Sequence, residues 1–113
     1  MKPLNTLEDL ENCLAQSESE PVLLFKHSTT CPVSASAHGR LTRFLQETPG
    51  APACWLVRVI ESRPVSNEIA ATLGVTHQSP QLLLVRDREA VWNASHNAIA
   101  GDAIAAALED HQR

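Results

Sequence analysis

The sequence predicts an α/β fold: a central mixed four-stranded sheet flanked by helices, with an extra N-terminal helix. Three observations predict it. Four stretches repeat apolar residues at helical spacing. Between them stand short continuous apolar runs, Val22-Leu23-Leu24-Phe25 and Leu82-Leu83-Leu84-Val85, which suit strands buried on both faces. The 113 residues are 43% hydrophobic and 19% charged, which fits one globular domain and excludes a disordered chain.

Thr6 and Asp9 have the spacing of a capping box, and Leu7, Leu10 and Leu14 form the apolar stripe of a first helix over residues 7–16. Pro21 precedes the first strand, Val22–Phe25. The polar loop His27-Ser28-Thr29-Thr30 then leads to Cys31-Pro32, where a second helix begins. Val33, Ala37, Leu41, Phe44 and Leu45 supply its buried face, and Pro49-Gly50 closes it. Residues from Cys54 to Ile60 read as the second strand. Pro64 stands near the start of a third helix carrying Val65, Ile69 and Leu73, which Gly74 ends. Gln81–Arg86 and Ala90–Ser95 form a hairpin around Asp87-Arg88-Glu89. Gly101-Asp102 opens a last helix with Ile104 and Leu108, Asp102 being the expected N-cap. Two strand–helix–strand crossovers call for a parallel core, and the hairpin adds an antiparallel edge.

Composition narrows the function. Nine Lys and Arg against 13 Asp and Glu give a net charge of −4, against the basic footprint that nucleic-acid binding requires. No apolar run approaches the ~20 residues of a membrane span, and the first 20 residues show no signal-peptide pattern. A cytoplasmic protein with reduced thiols is expected. With no Tyr, two Trp and two Phe, the core must be built from Leu, Val, Ile and Ala.

The three cysteines differ in setting. Cys13 lies beside the buried stripe of the first helix, and Cys54 starts an apolar strand next to Trp55. Both read as packing residues. None has the paired spacing of a zinc site, so no metal and no bound cofactor are expected. Cys31 sits in a polar loop at the head of a helix, where the partial positive charge favours a thiolate. The hydroxyls of Thr30 and Ser34 and the cations Lys26 and His27 are candidates to support that anion. Ser34 stands where a two-cysteine motif has its second thiol, and a hydroxyl is too basic to attack sulfur at neutral pH. The motif Cys31-Pro32-Val33-Ser34 therefore implies monothiol chemistry, with release by an external thiol.

Other candidates surround it. Ser79-Pro80 is either a plain strand-entry proline or a cis peptide whose Ser79 backbone pairs with a bound partner. His27 either tunes Cys31 or is a solvated loop residue. His96 could border the same edge. His38 is expected on the exposed side of the second helix, and His111 on the surface.

The run Leu24-Phe25-Lys26-His27-Ser28-Thr29-Thr30-Cys31-Pro32-Val33-Ser34 resembles the active-site segment of the monothiol bacilliredoxins of the YtxJ type. The resemblance continues at Arg63-Pro64-Val65-Ser66-Asn67-Glu68-Ile69-Ala70, His77-Gln78-Ser79-Pro80-Gln81 and Trp92-Asn93-Ala94-Ser95-His96. It implies a thioredoxin fold, Cys31 as nucleophile and Pro80 as a cis-proline, with Thr29, Pro32, Ser79 and His96 around the site. The activity implied is removal of bacillithiol from S-bacillithiolated client proteins, bacillithiol being a co-substrate and a reductase or second thiol recycling the enzyme. Bacillithiol carries a malate moiety, for which Lys26 is the expected cation. Two alternatives stand beside this reading: a glutathione-linked monothiol glutaredoxin, whose Cys-Gly-Phe-Ser motif is absent, and a non-catalytic thioredoxin-like adaptor.

Overall fold

The structure, a computed structural model, describes residues 1–111. The elements in chain order are β1 (Lys2–Pro3), α1 (Leu7–Gln16), β2 (Val22–His27), α2 (Pro32–Glu47), β3 (Cys54–Arg58), α3 (Arg63–Leu73), β4 (Gln81–Arg86), β5 (Glu89–Ser95), a 3-10 turn (His96–Ala98) and α4 (Gly101–Asp110). The strands form one mixed sheet in the order β1-β3-β2-β4-β5. This is a thioredoxin-like α/β fold.

The sheet has five strands, not the four expected. The addition is β1, which pairs parallel with β3 through Lys2↔Trp55 and Pro3↔Leu56. Two residues show no period, so the strand is invisible in the sequence. It is held by Leu4, fully buried, whose N–H donates to Leu56 O at 2.8 Å.

The expected parallel core is half right. β2 and β3 are parallel across the α2 crossover, but β4 runs antiparallel to β2. The reason lies after α3. That helix of 11 residues is about 16 Å long, and the chain from Gly74 to Pro80 can span up to about 23 Å. This is enough to return the chain to the edge it left, so β4 starts there and runs back.

Local departures have local causes. β3 ends at Arg58 instead of Ile60: Val59 N–H makes a last bond to His27 O at 3.0 Å before the chain turns toward α3. The hairpin turn is Asp87-Arg88, with φ of 51° and 66°, and Glu89 belongs to β5. Ordinary residues hold these left-handed angles because Ser17 accepts both turn amides, Asp87 N–H on its carbonyl at 2.8 Å and Arg88 N–H on its hydroxyl at 2.9 Å. α4 is capped by Ala100, one residue before Gly101. Asp102, the expected N-cap, lies inside the first turn and accepts from Ala103 N–H at 2.8 Å. The Thr6–Asp9 capping box on α1 and the left-handed Gly74 ending α3, at φ 67°, are as expected.

Side-chain alternation sorts the core into two layers. Leu24, Val57, Leu83 and Val85 pack under α1 and α3 with Leu10, Cys13, Val65 and Ile69. Leu23, Phe25, Leu82 and Leu84 pack under α2 and α4 with Ala37, Leu41, Ile104 and Ala107. Both faces of β2 and β4 are therefore covered, which is why their sequences are unbroken apolar runs. Among the described residues, no helix is long and apolar enough to cross a membrane.

Candidate thiol site

Sheet register places the site. Lys26 on β2 pairs with Gln81 on β4, and Gln81 pairs with Ser95 on β5. These three residues form one row across the sheet at a single edge. The segments beyond that row carry the chemistry-bearing residues: His27–Cys31 after β2, His77–Pro80 before β4, and His96 after β5.

Cys31 is the N-cap of α2 and is half-buried. Its N–H donates to Ser28 O at 3.3 Å, closing a tight turn, and its carbonyl accepts the first bond of the helix, from Ala35 N–H at 3.0 Å. Pro32 at the first helical position has no N–H to leave unsatisfied. No side chain caps the helix, so the N–H groups of Val33 and Ser34 remain at its positive end. Thr29 and Thr30 are exposed on the loop and Pro32 at the head of the helix. The Thr30 hydroxyl lies 3.3 Å from Ser28 Oγ.

Ser34 is fully buried, and its hydroxyl is already engaged. Oγ accepts from Ser28 N–H at 3.0 Å and lies 2.6 Å from His27 Nδ1. The hydroxyl has one proton, and His27 Nδ1 is its partner among the described residues. With that proton donated to Nδ1, the histidine is neutral and protonated at Nε2. The surroundings favour the neutral ring: burial, then the neighbouring His38, lower the His27 pKa, against a smaller opposing effect of Glu61. Ser34 thus fastens the head of α2 to the end of β2.

His27 and Phe25, two residues apart on β2, share one face and stack at 5.5 Å between ring centroids. His38 closes over them from α2, 5.0 Å from the His27 ring. It is half-buried, not the surface residue expected. The helical stripe put it next to Ala37, and only the tertiary approach of β2 covers it.

Lys26 alternates to the opposite face, and there the sequence expectation fails. Its side chain is fully buried, so the ammonium is not offered to a ligand. Nζ donates instead to Nδ1 of His77 at 3.2 Å. Burial pushes the Lys26 pKa down to about 8. Burial and the charges of Lys26 and Arg63 lower that of His77. His77, half-exposed two residues before Ser79, was missed as a site residue. The signal that could have found it is its position just ahead of Ser79-Pro80.

The Ser79–Pro80 peptide is cis. Pro80 is buried and its carbonyl accepts from His96 N–H at 3.1 Å. Ser79 Oγ is buried without a hydrogen-bond partner among the described residues. His96 is exposed, with a left-handed φ of 55°. The edge therefore brings Cys31, Pro80 and His96 to neighbouring connections. Of the expected site residues, Lys26 and Ser34 have their side chains fully buried beneath it.

The other thiols are closed off. Cys13 is fully buried on the core side of α1, and Cys54 is nearly so on the opposite face of the sheet. Burial pushes both pKa values up to about 12. Cys54 pairs with Leu23, four residues before His27, so it lies about 13 Å down the sheet from the site edge.

A half-exposed cysteine heading the helix after β2, with a cis-proline leading into the neighbouring strand β4, places the chain among thioredoxin-fold proteins of thiol redox function. Solved structures agree. A protein described as a candidate oxidoreductase with a thioredoxin fold superposes with a TM-score of 0.85 at 31% identity, over 94% of this chain and 91% of that one. The thioredoxin of Fasciola hepatica matches at a TM-score of 0.77 and 18% identity, over 99% and 100% of the two chains. Mitochondrial thioredoxin 3 of Saccharomyces cerevisiae matches at 0.73 and 20%, over 97% and 94%. These last two speak for the fold alone. The family is narrower: the profile described as monothiol bacilliredoxin BrxC matches residues 2–104, and the chain belongs to that family.

Proposed function

We propose that this protein removes bacillithiol from S-bacillithiolated proteins by monothiol exchange at Cys31. The observation that carries the reading is the contrast among the candidate sulfur positions. Cys31 is half-exposed at a helix head, Cys13 and Cys54 are buried, and a locked serine occupies position 34. Family membership supplies the thiol redox class.

The Cys31 thiolate attacks the bacillithiol sulfur of the mixed disulfide. The old S–S bond breaks as the new one forms, and the client leaves as a thiolate that takes a proton from water. A second thiol, from a low-molecular-weight compound or a partner reductase, then gives up its proton and attacks the Cys31 disulfide. Bacillithiol ends joined to that second sulfur, and Cys31 is free again. The electrons come from the second thiol, so no bound cofactor is required, and a reducing cytoplasm would supply it. Thr29, Thr30 and His96, exposed at this edge, and half-exposed His77 are polar residues available to the malate carboxylates.

The test incubates the protein with a bacillithiolated protein and weighs both. Bacillithiol mass on wild type, absent in Cys31→Ser, supports the reading. Uptake of glutathione but not bacillithiol moves the assignment to a glutathione-linked enzyme, and uptake of neither leaves an adaptor.

A further inference from the structure

Arg40, nine residues beyond Cys31 on α2, joins the Cys31 helix to the turn on the far side of the site. Its Nε donates to Ile99 O at 2.6 Å, and one terminal nitrogen donates to His96 O at 3.1 Å. One guanidinium thus grips both ends of the 3-10 turn His96–Ala98. Ile99 is fully buried and its N–H returns to His96 O at 3.2 Å, so the far end of the turn is anchored. The near end is His96, whose φ of 55° is costly for a residue with a Cβ. Such a conformation persists only where its surroundings over-determine it, most often at functional sites. Three bonds do so here: Arg40 and Ile99 N–H on the His96 carbonyl, and His96 N–H on Pro80 O.

We infer that Arg40 is a positioning residue for thiol exchange, holding the His96 turn, one wall of the site edge, in fixed relation to Cys31 and Pro80. The inference rests on the exchange reading above. α2 presents the sulfur at its head and the guanidinium about two and a half turns later, so one rigid helix carries both the nucleophile and the brace for the opposite wall. Arginine suits this because its rigid planar fork offers a separate nitrogen to each carbonyl, where lysine has one nitrogen on a flexible stem. Both partners are main-chain carbonyls, so the contact fixes backbone and does not depend on which residue follows His96. The wall meets the part of the mixed disulfide that does not react. Loosening it weakens substrate binding and leaves the sulfur itself unchanged.

The test uses Arg40→Met and Arg40→Lys, with three readings. Hydrogen exchange at the His96 amide reads the brace through its bond to Pro80 O, which a loosened turn breaks more often; both variants should lose protection there while the β2 and β4 amides keep theirs. Alkylation of Cys31 by iodoacetamide should stay within about twofold. Exchange with a bacillithiolated protein should show KM raised roughly tenfold with kcat little changed, as the loss of a binding contact away from the reacting sulfurs does. Unchanged His96 protection overturns the brace. A fall in alkylation together with kcat overturns the positioning role, since the sulfur would then be what changed. Full recovery by lysine overturns the fork argument. Should Arg40→Met fail to fold, Arg40→Lys, which keeps the stem and the charge, gives the same readings. Wild type that exchanges no bacillithiol refutes the proposed function, and the amide reading still decides whether Arg40 holds His96.

Discussion

Replacing Lys26 with methionine is expected to stabilise the protein at pH 7. The side chain is fully buried on β2, with His77 Nδ1 as its hydrogen-bond partner. Burial lowers its pKa from 10.5 to about 8. At about 1.4 kcal/mol per pKa unit, keeping the amine charged at pH 7 costs about 3 kcal/mol relative to water. Methionine keeps an apolar stem of similar length and forfeits the bond to His77, which is worth about 1–2 kcal/mol. The net gain is then about 1–2 kcal/mol, read as a rise in urea midpoint with unchanged slope. The gain must also depend on pH. Between about 8 and 10.5 the unfolded chain keeps a proton that the folded one has released, so wild-type stability rises with pH there and the gap narrows. Cys13 and Cys54, held near 12, act oppositely above pH 9, but they do so in both proteins and cancel in the difference. A methionine variant less stable than wild type at pH 7, by a margin that does not move up to pH 10.5, would refute the buried-charge argument.

Three further outcomes follow from the same site. Ser34→Cys should form a disulfide with Cys31 on mild oxidation, because the first and fourth residues of a helix start lie about 5 Å apart at Cα, within disulfide range; a mass showing two free thiols would count against that proximity. Ser34→Ala strands the Ser28 N–H and His27 Nδ1 and should cost about 1–3 kcal/mol in urea melts at pH 8. Wild-type stability should fall as pH drops below the ordinary histidine value of 6.5, since burial lowers both His27 and His77 and the unfolded chain takes up protons first. Replacing His27 with Asn should flatten that slope, and an unaltered slope would show that His27 is not held neutral.

Much of the site was legible because it is local. A sulfur before a proline at a helix start, a serine three residues on and a Ser-Pro before an apolar run are contiguous patterns. Their physics depends on neighbours in the chain. Helices α1, α2 and α3 and strands β2 and β4 were legible for the same reason, since a buried stripe or a doubly covered strand writes its period into the sequence. Lys26 was misread because a lysine beside a reactive loop carries no mark of which face of the strand it takes. Only the register of β2 against β4, with α3 and the following loop packed over it, seals the amine against His77.

The sequence by itself determined the class of fold, the single polar cysteine and the missing second thiol, because composition, periodicity and residue type do not depend on distant contacts. Tertiary structure alone decided the rest. It added β1 at the edge, turned β4 antiparallel, covered His38 and set the other two thiols, already marked as packing residues, on opposite faces of the sheet. It also brought His27, Pro80 and His96 to one edge from three separate segments, with Arg40 bonded across to His96. Those relations join residues distant in the chain, Arg40 and His96 being 56 positions apart, and such pairings are settled by packing and hydrogen bonds formed only once the chain has closed on itself.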